Sequence, residues 1–212
     1  SGSSYSSPMK QHNIVITTRA KNLAEHHSEL KKADKILIIG GGIVGVELAA
    51  EICTKYKNKE ITIVHSKNRI MNKNKLKSSE YAKDFLAERG VKIILNDKVI
   101  SSEGNSYFTE KGAELKADTA FLCTGAKPNS QFMKKEFSKL LDERCHIKVN
   151  KCLQVIKKKN IYSAGDVNNV NLEKTAHSAE KQAEIVIKNI INSEKGKKLI
   201  EYKPKKLIIV IS

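Results

Sequence analysis

The chain has 212 residues, 40% of them hydrophobic, and a formal charge of +16 at pH 7. This length is sufficient for one or two domains with a substantial buried core. The apolar runs are too short to span a bilayer and no segment resembles a cleavable signal, so a soluble protein is expected. The basic excess is compatible with nucleic-acid binding, but the lysines are scattered and there is no Trp for base stacking, which favours a solvated basic surface.

The first part of the chain leads into an apolar strand. Residues 1–13 are small and polar, and they are consistent with either a tag or a flexible arm. Residues 21–33 predict a polar helix or a linker. Residues 36–39 are wholly apolar, which is typical of a strand covered on both faces.

Three glycines follow this strand in G-x-G-x-x-G spacing, and an apolar-periodic stretch through residue 53 then predicts a helix. Gly40 would allow the tight turn, Gly42 would let backbone amides approach a pyrophosphate, and Gly45 would let helix and strand pack closely. The pyrophosphate would lie at the helix N-terminus, where free N–H groups favour an anion. The alternative is an ordinary glycine-rich turn, but the flanking strand and helix favour dinucleotide binding.

The elements that follow continue an alternating pattern. The sequence predicts a strand at 61–64, a helix at 76–89 and a third strand at 91–95. This β-α-β-α-β succession is typical of one half of a Rossmann sheet, so the predicted fold class is α/β.

Beyond residue 100 the predicted elements are shorter. They are a hairpin at 107–116 that turns at Lys111-Gly112, a strand at 119–123, a sharp turn at 124–129, a helix over 130–145, strands at 146–149 and 153–156, and a strand at 160–166 that ends in Gly-Asp. Residues 175–193 predict an amphipathic helix, and 207–211 predict a final strand. The predicted apolar face of that helix contains Ala179, Ala183, Val186, Ile187 and Ile190.

The cysteines are Cys53, Cys123, Cys145 and Cys152, and they include no C-x-x-C pair. No His/Cys cluster has the spacing typical of zinc, so no metal site is expected. Free thiols in a reducing compartment are therefore the predicted state.

Three separated motifs occur in one order: GGGIVGVELAAEI, ADTAFLCTGAKPN and NIYSAGDV. This order resembles the two-dinucleotide-fold flavoprotein oxidoreductases of the pyridine-nucleotide:disulfide-reductase-like superfamily. ITIVHS and YKPKKL are similar to the apoptosis-inducing-factor-like quinone reductases, the ferroptosis-suppressor type. The resemblance implies a Rossmann-like NAD(P)H-binding domain inserted in a partial FAD-binding domain.

The resemblance also implies domain boundaries. Residues 1–33 would be the end of a first FAD-domain segment and a linker, 34–126 the NAD(P)H-binding domain, 127–206 a second FAD-domain segment, and 207–212 the start of a C-terminal domain. The family's first FAD fingerprint is a second G-x-G-x-x-G, which this sequence lacks. A fragment is therefore expected, with a tag as the alternative for residues 1–4.

Several residues take a role from the resemblance. Asp166 resembles the acid that binds the FAD ribitol, with a turn residue or helix cap as the alternative. Glu47 and Lys10 are the candidate catalytic residues: Glu47 resembles the acid at the nicotinamide end, and Lys10 matches a position near the flavin. Their alternatives are an acid favoured by the helix dipole and a surface lysine. The other expected cofactor-binding residues are Gly40, Gly41, Gly42, Ile43, Val44, Gly45, Thr124, Gly125, Ala126, Gly165, Thr175 and Ala176.

The end of the second strand bears on the choice between NADH and NADPH. Strict NAD enzymes place a carboxylate there, on the ribose hydroxyls. This chain has His65 instead, followed by Ser66, Lys67 and Arg69. Two cations could meet a 2′-phosphate, so NADPH is predicted to bind alongside NADH.

The predicted function is an FAD-dependent oxidoreductase that transfers hydride from NAD(P)H to flavin and electrons on to a quinone-like acceptor. The missing C-x-x-C argues against a disulfide acceptor. The alternatives are a nucleotide-binding fragment without activity of its own and a basic nucleic-acid-binding protein similar to apoptosis-inducing factor. The expected location is cytoplasmic, with membrane association through segments outside this sequence or a mitochondrial location as alternatives, and the sequence does not determine the oligomeric state.

Overall fold

The computed structural model describes residues 2–4, 16–172 and 174–203. These residues form two compact units. The glycine-loop unit contains residues 16–125, and the Gly-Asp unit contains residues 2–4 together with 126–203 except residue 173. Within the described ranges, no helix is long and apolar enough to cross a membrane. The strand predicted at 207–211 and the candidate residue Lys10 lie outside the described residues.

The elements have these bounds in chain order: β1 (Ser3–Ser4), α1 (Ile16–Lys32), β2 (Lys35–Ile39), α2 (Ile43–Lys55), β3 (Glu60–His65), α3 (Leu76–Ala87), β4 (Lys92–Leu95), β5 (Val99–Glu103), β6 (Ser106–Thr109), β7 (Glu114–Lys116), β8 (Thr119–Leu122), β9 (Lys127–Pro128) and α4 (Ala176–Glu194). Two short 3-10 turns lie at Gln131–Met133 and Ser138–Leu140.

The glycine-loop unit is built on a parallel sheet with strand order β4-β3-β2-β8. This is the 3-2-1-4 order of a Rossmann sheet, so the predicted fold class is confirmed. The central strand β2 pairs in register with both neighbours, with Ile38 beside Ile63 on one side and Phe121 on the other. Its apolar run is buried because both faces of the sheet are covered.

The two faces of this sheet carry different layers. Ile36 and Ile38 pack in a core cluster with residues of α2 and α3, such as Val46 and Leu86. Leu37, on the opposite face, packs against the three-stranded antiparallel sheet β5-β6-β7. The β6–β7 hairpin is the one expected at 107–116. Strand β5 was not predicted, because after half-buried Val99 it is exposed along its length and shows no apolar alternation.

The helix predicted over residues 130–145 is wrong. The structure has two 3-10 turns there, and the segment ends in a tight loop. The Asp142 carboxylate accepts hydrogen bonds from the backbone N–H groups of Arg144 and His146, and Cys145 has a positive φ of 63°. A side chain that bonds nearby amides in this way competes with helical hydrogen bonds.

The strands expected at 146–149, 153–156 and 160–166 are reduced to isolated bridges, such as Val149 with Val155 and Gln154 with Tyr162. Helix α4 is confirmed almost over its predicted length. Its buried positions are nevertheless polar: Ser178, Gln182 and Asn189. The predicted apolar face is not the buried one, since Ile187 and Ile190 are 58% and 44% exposed.

Candidate nucleotide-binding site

The carboxyl ends of three neighbouring parallel strands meet at one edge of the glycine-loop unit. The loop 40–45 follows β2, His65 ends β3, and Thr124 and Gly125 come after β8. The residue after β8 bonds directly to the end of β2, because the Cys123 N–H donates to the Ile39 carbonyl. Ligands of open α/β sheets bind at this edge.

Two of the motif glycines are required by the protein's own packing. Gly40 has a φ of +115°, and a Cβ there would lie 2.4 Å from the Cys123 carbonyl oxygen. A Cβ on Gly45 would lie 1.9 Å from the Gly40 carbonyl oxygen. These positions therefore bring β2, α2 and β8 close together, as the sequence predicted for Gly45.

Gly42 differs from both, because the polypeptide does not require it to be glycine. It caps α2 with φ −75° and ψ −175°, which any residue adopts, and a Cβ there would have no atom within 4 Å. It makes no side-chain cap, so the first N–H groups of α2 have no side-chain acceptor from this position. Open space beside free amides at a helix N-terminus fits an anionic group such as a pyrophosphate.

Gly41 has a role that the motif spacing did not assign. Its N–H donates to Nδ1 of His65 at 3.1 Å, and its carbonyl accepts from the Met71 N–H at 2.7 Å. A Cβ on Gly41 would lie 2.9 Å from Cγ2 of Ile70 and 3.1 Å from the His65 ring. The last residue of β3 and the segment after this strand therefore bond both backbone polar groups of Gly41. The available signal was the run of three consecutive glycines, because within this run the motif requires glycine only at positions 40 and 42.

His65 was expected among the cofactor-binding residues, and in the structure its ring lies against the glycine loop, where Nδ1 accepts from the Gly41 N–H. Its contact with a cofactor stays a prediction. Burial lowers the pKa of His65, the Asn72 side chain opposes this fall, and the Lys67 charge adds to it. The ring is therefore neutral near pH 7. Its Nε2 is sealed from solvent and has no hydrogen-bond partner among the described residues.

Ser66 and Lys67 are exposed beyond the end of β3 and are free to face a ligand. Arg69 is half-buried, and its guanidinium donates to the backbone carbonyls of Met71, Asn72 and Asn74 at 3.3, 2.6 and 2.9 Å. These bonds use three of its five N–H donors. Arg69 thus fastens the loop after β3, and its predicted contact with a 2′-phosphate stays a prediction.

Helix α2 presents the remaining candidates of this unit. Val44 is exposed and Ile43 half-buried in the first turn. Glu47 is the fifth residue of α2, so it lies just beyond the first turn. It is half-buried and has no side-chain partner among the described residues. Its assigned contact with nicotinamide stays a prediction.

The turn after β8 contains the other three residues expected at the nucleotide. Thr124 and Gly125 are exposed, and Gly125 has a φ of +97° that favours glycine. Both belong to the glycine-loop unit, whereas Ala126 belongs to the Gly-Asp unit.

The Gly-Asp unit carries the residues expected near a flavin. Gly165 has a φ of +83°, and its N–H donates to Oε1 of Gln182. The half-buried Asp166 carboxylate accepts a hydrogen bond of 2.6 Å from the Ser3 hydroxyl. Thr175 caps α4 by accepting from the Ser178 N–H, and exposed Ala176 is the first helical residue.

Sequence reasoning missed the partners of the Gly-Asp turn. Ser3 pairs with Pro128 in the β1–β9 ladder as well as bonding Asp166, so it fixes that carboxylate. Gln182 joins Gly165 to the amide of buried Asn168. Polar residues at helical spacing gave no signal for such bonds, because the contacts span many residues of sequence.

The parallel sheet, its glycine loop and the open N-terminus of α2 define a Rossmann-type dinucleotide-binding domain. Residues 2–183 match the family model of the pyridine nucleotide-disulphide oxidoreductases. The chain belongs to this family.

The relatives agree with this assignment. The chain is similar to ferroptosis suppressor protein 1 of Taeniopygia guttata and of Homo sapiens, with 38% and 36% identity over 87% of this chain and 52% of each relative. It is 33% identical to apoptosis-inducing factor homolog B of Dictyostelium discoideum over 87% of the chain and 54% of that relative. The chain thus spans about half the length of these proteins.

Among solved structures, the fold is similar to a water-forming NADH oxidase from Lactobacillus brevis bound to NADH. The TM-score is 0.66 at 23% identity, covering 95% of this chain and 46% of that one. A ferredoxin reductase from Rhodopseudomonas palustris has a TM-score of 0.63 at 19% identity, covering 86% and 46%. At these identities the likeness shows a shared fold.

Proposed function

We propose that the glycine-loop unit binds NAD(P)H, and that the whole protein is a flavin-dependent oxidoreductase that passes electrons to a quinone-like acceptor. In this proposal the Gly-Asp unit contributes to the FAD site. When both cofactors are bound, nicotinamide and flavin supply the hydride chemistry, and the chain's residues bind and orient them.

The observation that carries the nucleotide site is Gly42. Its backbone angles are ordinary and its Cβ position is open, so packing gives no reason for glycine there. A pyrophosphate on the N-terminus of α2 gives one, because a side chain would occupy its approach. Exposed Lys67 at the same edge of the sheet supports binding of NADPH alongside NADH.

The flavin part of the proposal is supported by Asp166 and α4. Ser3 orients the Asp166 carboxylate, which would accept a hydrogen bond from a ribitol hydroxyl. The N-terminus of α4, beginning at Ala176, would face the flavin ring with its positive dipole end. Both features lie within the Gly-Asp unit.

One support for a quinone-like acceptor is that this chain itself carries no disulfide redox pair. All four cysteines are free. Burial raises the pKa of the Cys123 thiol to about 11, so the nucleophilic thiolate is scarce at neutral pH. The resemblance to ferroptosis suppressor proteins is the other support. Quinone-dependent consumption of NADH by the flavin-loaded full-length protein tests this part.

The nucleotide site is tested by Gly42→Val. The Cβ of the new side chain has no protein atom within 4 Å, so the fold should survive with a loss of about 1 kcal/mol from the weaker helix cap. NADH affinity, measured by fluorescence titration, should fall by more than about tenfold, or 1.4 kcal/mol.

Two variants calibrate this result. Tyr81→Ala removes atoms from an exposed side chain of α3 in the same unit, one with no assigned role in the site, and should bind NADH normally. Gly45→Ala forces a Cβ into the Gly40 carbonyl and should lose fold and binding together. Normal NADH binding by a folded Gly42→Val protein would refute the site.

A further inference from the structure

We propose that His65 is a positioning residue whose Nδ1 holds the Gly41 amide and so keeps the loop 40–45 shaped for a pyrophosphate. This inference rests on the NAD(P)H site proposed above and assigns His65 a role within it. It further implies that nucleotide affinity falls when the imidazole is protonated, because an imidazolium has no lone pair to accept the Gly41 N–H.

The geometry gives Gly41 little freedom. Its N–H donates to His65 Nδ1 at 3.1 Å, while its carbonyl accepts from Met71 N at 2.7 Å. A Cβ on Gly41 would clash with Ile70 and the His65 ring, so the glycine loop lies close to β3 and the segment after it. Gly42, whose open side receives the ligand in our proposal, is the next residue, so the Gly41 contacts set its direction.

The hydrogen bond also fixes the tautomer of the ring. Nδ1 accepts from an amide and must therefore be unprotonated, which leaves the proton of the neutral imidazole on Nε2. Nε2 is sealed from solvent. A ribose hydroxyl cannot reach it without a rearrangement, so the ring acts on the loop rather than on the sugar.

The glycine loop has no ionisable side chain. Charged groups near His65 are instead found in the segment after β3 and in the segment after β4. Lys67 repels an imidazolium, and the Arg69 guanidinium is directed to backbone carbonyls. From the chain after β4, the Asp97 N–H donates to the His65 carbonyl, while the Asp97 carboxylate accepts from the Lys98 N–H. Burial, first, and the Lys67 charge lower the pKa of His65 and favour the neutral ring, while a side-chain hydrogen bond with Asn72 opposes them.

Two roles for His65 predict opposite effects of pH. If His65 positions the loop, acidification removes an acceptor and weakens nucleotide binding. If it faces the phosphates or the ribose as a ligand, protonation adds a positive charge beside an anion and tightens binding. The sign of the change separates the two roles.

The experiment measures NAD⁺ binding by calorimetry from about pH 8 to about pH 5.5, with circular dichroism to confirm the fold at each pH. NAD⁺ lacks the 2′-phosphate, so ligand titration does not interfere. Wild-type affinity should fall as the pH is lowered, by up to about tenfold for complete loss of one hydrogen bond. His65→Asn, whose Oδ1 can replace Nδ1 as acceptor, should bind like wild type at pH 8 and show a flat profile.

His65→Leu should bind three- to tenfold more weakly than wild type at about pH 8, also with a flat profile. His146→Gln, in the Gly-Asp unit, is the matched control and should keep the wild-type profile. Tighter wild-type binding at low pH, or wild-type behaviour of His65→Leu, would overturn the positioning role.

Nitrogen NMR of the wild-type protein provides a readout that requires neither a variant nor a ligand. The expected signals are those of the tautomer protonated on Nε2, and a proton on Nδ1 would overturn the proposal. Failure of wild-type protein to bind NAD⁺ at pH 8 would instead count against the proposed function, and the tautomer would still report on the His65–Gly41 bond.

Discussion

Replacing Arg69 by Ala separates two roles for this residue: holding the loop after β3, and binding the 2′-phosphate of NADPH. The guanidinium makes three hydrogen bonds to carbonyls in a half-buried loop. Bonds from charged donors contribute about 1.5–3 kcal/mol each when buried, and partial exposure reduces this, so we expect a total loss of about 2–3 kcal/mol. For a chain of this size, the thermal midpoint should fall by about 4–12 °C.

The same substitution should affect both cofactors alike. Met71, one of the three carbonyl partners, also donates its N–H to Gly41. A loosened loop should therefore weaken NADH and NADPH binding by similar factors. Urea unfolding followed by circular dichroism measures the stability, and calorimetry measures the two dissociation constants.

Lys67→Ala is the matched control for this experiment. Lys67 is exposed, so its removal should leave stability unchanged and reduce NADPH affinity alone, by no more than about fivefold for an exposed ion pair of ~1 kcal/mol. The reasoning about Arg69 would be refuted by unchanged stability together with a loss confined to NADPH. That result would make Arg69 a direct ligand of the 2′-phosphate.

Two other substitutions test contacts outside the glycine loop. The backbone N–H groups of Lys35 and Asp34 hold the pKa of Asp118 below its usual range. The carboxylate therefore stabilises the fold above the unfolded pKa of about 3.9, and this stability is lost as pH falls through the lower folded pKa. Asp118→Asn should reduce that acid-dependent loss in urea titrations at several pH values, and an unchanged slope would contradict the assignment. Gln182→Leu leaves the Gly165 N–H without its acceptor and should lower the free energy of unfolding by at least ~2 kcal/mol, a result that a wild-type urea midpoint would exclude.

The glycine loop could be predicted because its signals are local. An apolar strand, three spaced glycines and a periodic helix lie within twenty residues of sequence, and each signal follows from backbone sterics or burial. The α/β class and the β6–β7 hairpin could be predicted for the same reason. The prediction of a helix over 130–145 was wrong because Asp142 accepts hydrogen bonds from amides within its own segment. These bonds compete with helical hydrogen bonds, and the spacing of apolar residues does not reveal them.

Sequence by itself therefore determined the order of the Rossmann elements and the location of the glycine loop. Tertiary structure alone decided which groups the neighbouring side chains bond. His65 ends β3 and Arg69 comes four residues later, at positions typical of cofactor ligands, yet their hydrogen bonds go to Gly41 and to loop carbonyls. The buried polar face of α4 is likewise decided by distant partners such as Gly165. Buried backbone amides and carbonyls need partners, and which side chain meets them depends on segments that only folding brings together.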